Sequence, residues 1–188
     1  GLFDRIHVTN PSEEAAEVDL EIVTDGSVTL DPIELTIRAG RTVVVDVAAE
    51  SRLAAFSQFS VVARSLTGQP VAVAVERRVE LGGDLVTGTA AMGALDAVAS
   101  EWIVASDGNV AELSVVNPLP DSIATVEIWR VGVEGETLLS SIDLAAGRRQ
   151  TLVAPDFDAR DILRVRATSP VVVGRSSAGF TSRQMLGG

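Results

Sequence analysis

Apolar and polar residues alternate along several short stretches of the chain. Ala16–Ile22 places its Val, Leu and Ile residues on one face and its acidic residues on the other. Ala124–Arg130 repeats this arrangement with a Val and an Ile on one face. A period of two is typical of a β-strand in a half-buried sheet, because successive side chains point to opposite faces. The alternation predicts an all-β protein.

The chain carries two copies of this strand pattern and of the turns that interrupt it. Ile6–Pro11 and Leu113–Pro118 are both short, mainly apolar strands that end in Asn-Pro. Proline cannot donate a hydrogen bond to a sheet and keeps the preceding residue extended, so each Asn-Pro pair predicts a strand end and a turn. Ile33–Arg41 and Ser140–Arg148 both end in Ala-Gly-Arg, where glycine permits the positive φ of a tight turn.

A fourth pair of matching blocks closes each copy. Val61–Val73 and Leu163–Val173 each predict two strands joined as a hairpin by a loop that a proline marks. The four blocks recur in the same order at an offset of about 100 to 107 residues, which indicates an internal duplication. Each copy holds several short strands at regular spacing, as in a β-sandwich. We therefore predict two tandem immunoglobulin-like β-sandwich domains related by duplication, over residues 1–98 with a linker and residues 99–188.

The junction between the copies is rich in small residues. Thr87–Ser100 is predicted to be a linker with a short helix around Ala94–Ala99. Trp102–Ala105 precedes the second copy and is predicted to be its first strand. The first copy starts at Ile6 with little sequence before it, so we expect its first strand to be truncated and the chain to be a fragment of a longer parent.

Composition narrows the classes of function. The formal net charge is -11, and all basic residues are Arg. Nucleic-acid binding needs clustered cations against phosphate, so we expect no nucleic-acid partner. The longest fully apolar runs, such as Val71–Val75, are far shorter than the roughly 18 residues that a membrane helix needs. The chain has no Cys, which excludes disulfides and thiolate metal sites.

His7 is the only histidine and therefore the only candidate general base of a serine-hydrolase triad. It lies in an alternating strand, and its counterpart in the second copy is Ser114, which cannot do the same chemistry. We therefore expect no enzyme activity, no catalytic residue and no cofactor.

Three acidic residues, Asp156, Asp158 and Asp161, share one loop. Clustered carboxylates can chelate Ca²⁺, which prefers oxygen ligands. Their spacing differs from that of the helix–loop–helix Ca²⁺ motif, and Arg160 lies among them. A polar turn is the favoured interpretation, a Ca²⁺ site is the weaker alternative, and no resident metal is expected.

Trp129 is the candidate binding residue. The alternation places it on the same face as Glu127, opposite Val126 and Ile128. An aromatic side chain on a polar face is typical of an interface or a sugar-binding platform. The alternative is that a second sheet or the neighbouring domain covers its ring.

The strand–Asn-Pro blocks, the Ala-Gly-Arg turns and the closing strand Pro170–Arg175 resemble an uncharacterised family of actinobacterial envelope proteins, known as a domain of unknown function. The first copy departs from the closing pattern, since Val73–Arg77 lacks the glycine. The resemblance implies an extracytoplasmic protein, secreted or anchored by a membrane tether outside this segment. It implies no catalytic residue.

These observations favour a non-catalytic structural or protein-interaction module of a bacterial cell envelope, with an unknown envelope protein or a glycan as its partner. A carbohydrate- or peptide-binding sandwich that uses Trp129 is one alternative. A surface-layer or filament subunit is another.

Overall fold

The structure is a computed structural model that describes residues 2–25, 30–51, 59–81, 84–92, 98–104, 111–153 and 162–177. These residues form β-strands, with one turn of 3-10 helix at Val47–Ala49 and no α-helix among them. The prediction of an all-β protein is confirmed. Backbone proximity divides the chain into two compact units, the first comprising residues 1–24 and 28–97 and the second residues 25–27 and 98–188.

The first unit contains two antiparallel sheets. Its strands are β1 (Leu2–Thr9), β2 (Ala16–Thr24), β3 (Ile33–Ile37), β4 (Thr42–Asp46), β5 (Phe59–Ser65), β6 (Ala72–Leu81) and β7 (Asp84–Met92). One sheet has the order β4-β1-β6-β7, and the other has the order β3-β2-β5. This arrangement is sandwich-like, since the apolar faces of the two sheets supply one shared core.

The core of the first unit comes from the alternating strands. Ile6 and Val8 of β1 and Val18 and Leu20 of β2 are at most 1% exposed. Burying each such side chain contributes about 1.5–3 kcal/mol relative to leaving it in water. The polar residues between them point away from the core, as the period-two pattern requires.

The second unit is built around one long strand. Its strands are β8 (Ala99–Val104), β9 (Ala111–Val116), β10 (Ala124–Gly132), β11 (Gly135–Leu144), β12 (Arg149–Val153) and β13 (Ile162–Ser177). The strand order is β11-β10-β13-β9-β12, and β8 also pairs with β13. The first half of β13 lies between β10 and β8, whereas its second half pairs with β9. The core includes Leu113, Val126 and Val165, each at most 1% exposed.

Four strand pairings of the first unit recur in the second in the same register. The β1–β4 pairing of the first unit corresponds to the β9–β12 pairing of the second, and the β2–β3 pairing corresponds to β10–β11. The β2–β5 pairing corresponds to the pairing of β10 with the first half of β13. The β1–β6 pairing corresponds to the pairing of β9 with the second half of β13. For example, Val18 faces Ser65, and its sequence counterpart Val126 faces Ala167. Residues matched in the sequence therefore hold equivalent positions in the sheets.

The predicted hairpins are wrong. β5 and β6 belong to different sheets, and the corresponding segments of the second unit form the single strand β13. A strand that passes from one sheet to another and a hairpin have the same local sequence pattern, in which a segment with a proline separates two apolar segments. Local sequence does not distinguish the two, because the difference lies in which distant strands pair with each half.

Part of the predicted linker is also a strand. Residues 87–92 belong to β7, which pairs with β6 along its length. Small residues weaken the alternation there, but pairing with a long neighbour is enough to make the segment extended. Residues 93–97, where most of the predicted short helix falls, lie outside the described residues.

A buried asparagine connects the turn after β1 to the end of β3. Asn10 is fully buried, at 0% exposure. Its amide nitrogen donates to the carbonyl oxygens of Glu14 at 2.7 Å and Ile37 at 3.0 Å. Its side-chain oxygen accepts the backbone N–H of Ser12 at 3.0 Å. One side chain therefore makes hydrogen bonds to three backbone groups, and the Glu14 carbonyl oxygen also accepts from the hydroxyl of Ser12 at 3.0 Å.

The second unit repeats this arrangement with Asn117, which is also 0% exposed. Its amide donates to the carbonyl oxygens of Ser122 at 2.7 Å and Leu144 at 3.0 Å, and its oxygen accepts the N–H of Leu119 at 3.1 Å. The Asn-Pro pairs thus mark a buried hydrogen-bonding centre as well as a strand end.

The Ala-Gly-Arg turns lie next to these asparagines. Gly40 and Gly147 both have a φ of 62°, in the left-handed region that favours glycine. The backbone N–H of Asn10 donates to the carbonyl oxygen of Arg41 at 2.9 Å, and the equivalent bond in the second unit has the same length. The turn and the asparagine therefore position each other.

Candidate functional site

One face of the second unit points away from its core and combines large apolar side chains with charged ones. Leu163 and Val165 face the core, so Arg164 and Arg166 on the same strand point to the opposite side. We call this surface the outer face of the second unit. It comprises Glu101, Ile103, Glu127, Trp129, Glu136, Leu138, Ile162, Arg164 and Arg166.

Trp129 reaches this face because β10 follows the period of two. The strand alternates buried and half-buried residues from Ala124 to Trp129. The pairing of β10 with β11 shifts register between Ile128 and Trp129, which is a β-bulge or a similar irregularity. Beyond this shift, Trp129 lies opposite Leu138 on β11 and opposite Arg164 on β13. The indole is therefore half-buried among side chains from both neighbouring strands.

Two arginines and two glutamates form a charged network across the outer face. The Nε atom of Arg164 is 3.1 Å from a carboxylate oxygen of Glu101, and its Nη1 atom pairs with Glu136. The Nη2 atom of Arg166 is 3.2 Å from the other oxygen of Glu136, and its Nε atom is 3.8 Å from Glu101. Each arginine thus bridges both carboxylates, and such a network holds its long side chains more firmly than an isolated pair.

The indole of Trp129 has two polar neighbours. Its Nε1–H group donates to a carboxylate oxygen of Glu127 at 3.1 Å. The guanidinium carbon of Arg166 lies 5.6 Å from the ring centroid, within the range of a cation–π interaction. The charged network and the aromatic ring are therefore linked through Arg166.

Exposed apolar side chains surround this polar centre. Ile103 is 57% exposed, Leu138 46% and Ile162 45%. Leu138 lies opposite Trp129, and Ile103 of β8 lies opposite Arg164 of β13. Aromatic residues and arginine are enriched in protein–protein interfaces, where exposed apolar side chains become buried.

Comparison with known proteins assigns a family to this chain. A family model described as a family of unknown function, DUF5719, matches residues 1–154. The chain belongs to the DUF5719 family. The match covers the described part of the first unit and continues through β12 of the second. The resemblance to a domain of unknown function is confirmed.

Other comparisons add little to this DUF5719 chain. No curated protein matches it. Among solved structures, the Anabaena sensory rhodopsin transducer is similar at 18% identity, over 44% of this chain and 100% of the transducer, with a TM-score of 0.35. A likeness at that level carries no argument about fold or function.

The corresponding face of the first unit in this DUF5719 chain is chemically different. By the shared register, Glu21 holds the position of Trp129 and Arg64 that of Arg166. The Nε atom of Arg64 is 2.6 Å from a carboxylate oxygen of Glu21, so a charged pair replaces the aromatic contact. Both tryptophans of the chain, Trp102 and Trp129, lie in the second unit.

His7 lies on the outward side of β1 in the first unit. Its Nε2 atom is 3.3 Å from a carboxylate oxygen of Glu76 on β6, and the two side chains are 33% and 26% exposed. Such a cross-strand pair is ordinary for a sheet surface. The expectation that His7 has no catalytic role stays a prediction.

The three candidate Ca²⁺ ligands follow β12 in the sequence. Asp156, Asp158 and Asp161 lie outside the described residues, so the weaker Ca²⁺ alternative stays a prediction. Within the described ranges, no three His, Cys, Asp or Glu side chains lie close enough to hold a metal ion. Within the same ranges, no helix is long and apolar enough to cross a membrane.

The outward direction of Trp129 was predictable from the sequence, whereas the charged network beside it was not. Glu101, Glu136 and the two arginines come from three different strands, and no local motif joins them. The alternation from Leu163 to Arg166 places both arginines on one face, and this was the only part of the network that the local sequence indicated. Their carboxylate partners depend on strand order, which the sequence does not reveal.

Proposed function

We propose that this chain is a non-catalytic interaction module of a bacterial cell envelope that binds another envelope protein through the outer face of its second unit. The observation that carries the proposal is the position of Trp129, half-buried between Arg166 and the exposed Leu138. An aromatic anchor, arginines and exposed aliphatic residues in one patch are the composition of an interface core.

The charged network supports recognition of a protein partner. Arg164 and Arg166 are held by Glu101 and Glu136, so their guanidinium groups are already oriented in the unbound protein. Orienting side chains before binding lowers the entropy that association costs. Two guanidinium groups face two carboxylates in this network, so a partner surface that covers it does not have to supply a charge of its own.

The architecture that we propose is two immunoglobulin-like sandwiches related by duplication. Support comes from the four pairings that recur in register and from Asn10 and Asn117, whose three hydrogen bonds are the same. Location outside the cytoplasm and an actinobacterial source are supported by the resemblance of the repeat blocks. A protein built of such sheets suits an envelope role, where a rigid scaffold presents a binding surface.

The proposal is tested by photo-crosslinking in the source cells. A photoreactive amino acid replaces Leu138 on the outer face or Val44, which is 49% exposed on β4 of the first unit and serves as the control. The expected result is a discrete product with one envelope protein from the Leu138 site, absent from the Val44 site. Adding Trp129→Ala should remove the product while the urea unfolding midpoint shows that the second unit stays folded.

Two results would contradict this function. Equal cross-linking from both sites would show that the outer face is not a specific surface. Protection of the protein from protease in intact cells, with its release only on lysis into the cytoplasmic fraction, would rule out an extracytoplasmic location.

A glycan is the second candidate partner, and the position of Trp129 beside Glu127 favours it. Sugar rings stack on indoles while carboxylates accept their hydroxyl hydrogen bonds. Arg166 lies over one face of the indole, so a sugar must use the other face or displace it. Glycan-array binding that disappears in Trp129→Ala would favour this function. Assembly into polymers at low micromolar concentration would instead favour a filament subunit.

A further inference from the structure

β5 and the first half of β13 hold equivalent positions, but they differ in their neighbours. The segment Leu163–Arg166 of β13 pairs with β10 on one side and with β8 on the other. β5 pairs with β2 on one side, and no other described strand pairs with it. The place that β8 fills in the second unit therefore has no described strand in the first.

Burial differs in the same direction. Leu163 and Val165 are 1% and 0% exposed. Their counterparts on β5, Val61 and Ala63, are only half-buried, and all seven residues of β5 are half-buried without alternation. In the second unit, Trp102 and Val104 of β8 pack against the core beside these positions. Among the described residues of the first unit no strand covers β5 in this way, and its side chains are correspondingly more exposed.

The edge of a strand is a binding site in its own right. A strand that is paired on one side presents alternate N–H and C=O groups on the other, and an extended peptide can add to them. β5 spans Phe59–Ser65, which is longer than the segment of β13 that pairs continuously with β8. Its length is therefore sufficient for the same pairing.

We propose that the edge of β5 is an acceptor site for an added β-strand, and that its occupant is an extended peptide segment with the alternating chemistry of β8. The second unit specifies that chemistry, since Trp102 faces Val165 and Glu101 faces Arg166. This site lies on the first unit and goes beyond the function proposed for the outer face of the second.

The residues of β5 indicate which side chains the incoming strand carries. Ala63 holds the position of Val165, and its smaller side chain leaves more room for a large apolar residue opposite. Arg64 holds the position of Arg166, which lies opposite Glu101 of β8. An incoming strand with the chemistry of β8 therefore carries an acidic residue opposite Arg64.

The experiment supplies the strand from the protein itself. Residues 98–107, which precede Gly108, are copied directly in front of Gly1 in the full chain. The matched control carries the same extension with Glu101→Pro and Ile103→Pro in the copied segment, because proline cannot donate to a ladder. Amide hydrogen exchange of β5 is measured residue by residue by NMR. We expect the copy, but not the control, to slow exchange along Val61–Arg64 by about tenfold or more.

A synthetic peptide of residues 98–107, added to the unextended chain, gives the same test without altering the fold. Tethering raises the effective concentration of the segment, so the free peptide should need a higher concentration for the same protection. The Trp129→Ala variant should leave this protection unchanged, which separates failure here from failure of the proposed interface.

Three outcomes would overturn the proposal. The first is exchange along β5 at the rate of the unextended, peptide-free chain when the copy or the peptide is present. The second is exchange in the unextended chain that is already as slow at β5 as at Leu20, since the edge would then be covered. The third is altered exchange at Leu163–Arg166 or formation of dimers, since the copy would then have displaced β8 from β13 or linked two copies.

Discussion

The two units share one internal arrangement but present different outer faces. Asn10 and Asn117 make the same three hydrogen bonds, and in each case one of them reaches a carbonyl oxygen 27 residues further along the chain. On the outer faces, a Glu21–Arg64 pair in the first unit replaces the contact between Trp129 and Arg166 in the second. The buried asparagines are the same in both units, whereas the outward-facing partner of the arginine changes from Glu21 to Trp129.

This difference separates residues that form the fold from residues that are available for binding. A buried asparagine with three backbone partners cannot change without losing those hydrogen bonds. A residue on the outer face can change from glutamate to tryptophan at little cost to the sheet, because its backbone pairing is unaffected. Function in this protein is therefore expected to depend on the faces in which the units differ.

The largest expected effect comes from the shared asparagines. Asn117→Ala should destabilise the second unit by about 3 kcal/mol, because the buried carbonyl oxygen of Leu144, the part-buried one of Ser122 and one N–H group lose this partner. Both tryptophans lie in the second unit, so tryptophan fluorescence during urea unfolding reports on that unit. Asn10→Ala should lower the unfolding midpoint seen by far-ultraviolet circular dichroism and leave the fluorescence midpoint unchanged.

Exposed residues of the same loops serve as controls for these variants. Asp121→Ala and Glu13→Ala should each change the free energy of unfolding by less than about 0.5 kcal/mol. An equal shift of both probes by Asn10→Ala would break the comparison, since the two units would then unfold as one. A loss below about 1 kcal/mol for both asparagine variants would show that water replaces the side chain.

An intermediate effect is expected at the paired arginines of the outer faces. Arg166→Gln should destabilise the second unit by about 1 kcal/mol, because it removes a cation–π contact and two carboxylate contacts. Arg64→Gln should cost the first unit about 0.5 kcal/mol or less, since it removes the pair with Glu21 on a partly exposed surface. Urea midpoints followed by fluorescence for the second unit and by circular dichroism for the first measure the two values.

A double-mutant cycle sharpens the comparison. Combining Arg166→Gln with Trp129→Leu isolates the arginine–indole term, for which we expect about 0.5–1 kcal/mol. In 1 M NaCl the cost of Arg64→Gln should nearly disappear, because salt screens exposed ion pairs. A cost for Arg64→Gln equal to that of Arg166→Gln would mean that the aromatic ring adds nothing to the outer face.

Local chemistry explains which parts of the fold were predictable from the sequence. Asn-Pro and Ala-Gly-Arg mark turns because proline and glycine restrict or permit particular backbone angles within one or two residues. The burial of Asn10 was not predictable, since it depends on Ile37, which belongs to another strand. The strand at Asp84–Met92 was missed for the same reason, because its extended form depends on pairing with β6.

The same limit applies to the candidate site. Trp129 was found from alternation within one strand, which is a local pattern. The two carboxylates that hold Arg164 and Arg166 come from β8 and β11, which are brought together by strand order. Alternation assigns a side chain to one face of its own strand, but it does not reveal which side chains of other strands lie beside it.

A small effect is also expected at the residues that lie opposite His7 in the first unit and Ser114 in the second. Ala74 lies opposite His7, and Gly174 lies opposite Ser114. A Cβ atom at Gly174 would be 2.9 Å from the hydroxyl oxygen of Ser114, which donates to the carbonyl oxygen of Gly174 at 3.3 Å. A serine hydroxyl can rotate to another staggered position, so Gly174→Ala should destabilise the second unit by less than about 1 kcal/mol.

Removing the hydroxyl should convert this loss into a gain. In the Gly174→Ala, Ser114→Ala double variant the close approach is gone, and alanine restricts the unfolded chain more than glycine does. The fluorescence midpoint in urea should therefore equal or exceed that of the unmodified protein, whereas Ser114→Ala alone should change it little. If the double variant were as unstable as Gly174→Ala, the added Cβ atom would have to clash with the backbone and not with the Ser114 hydroxyl. The spacing of the paired strands would then differ between the two units, since the first unit accommodates alanine at position 74.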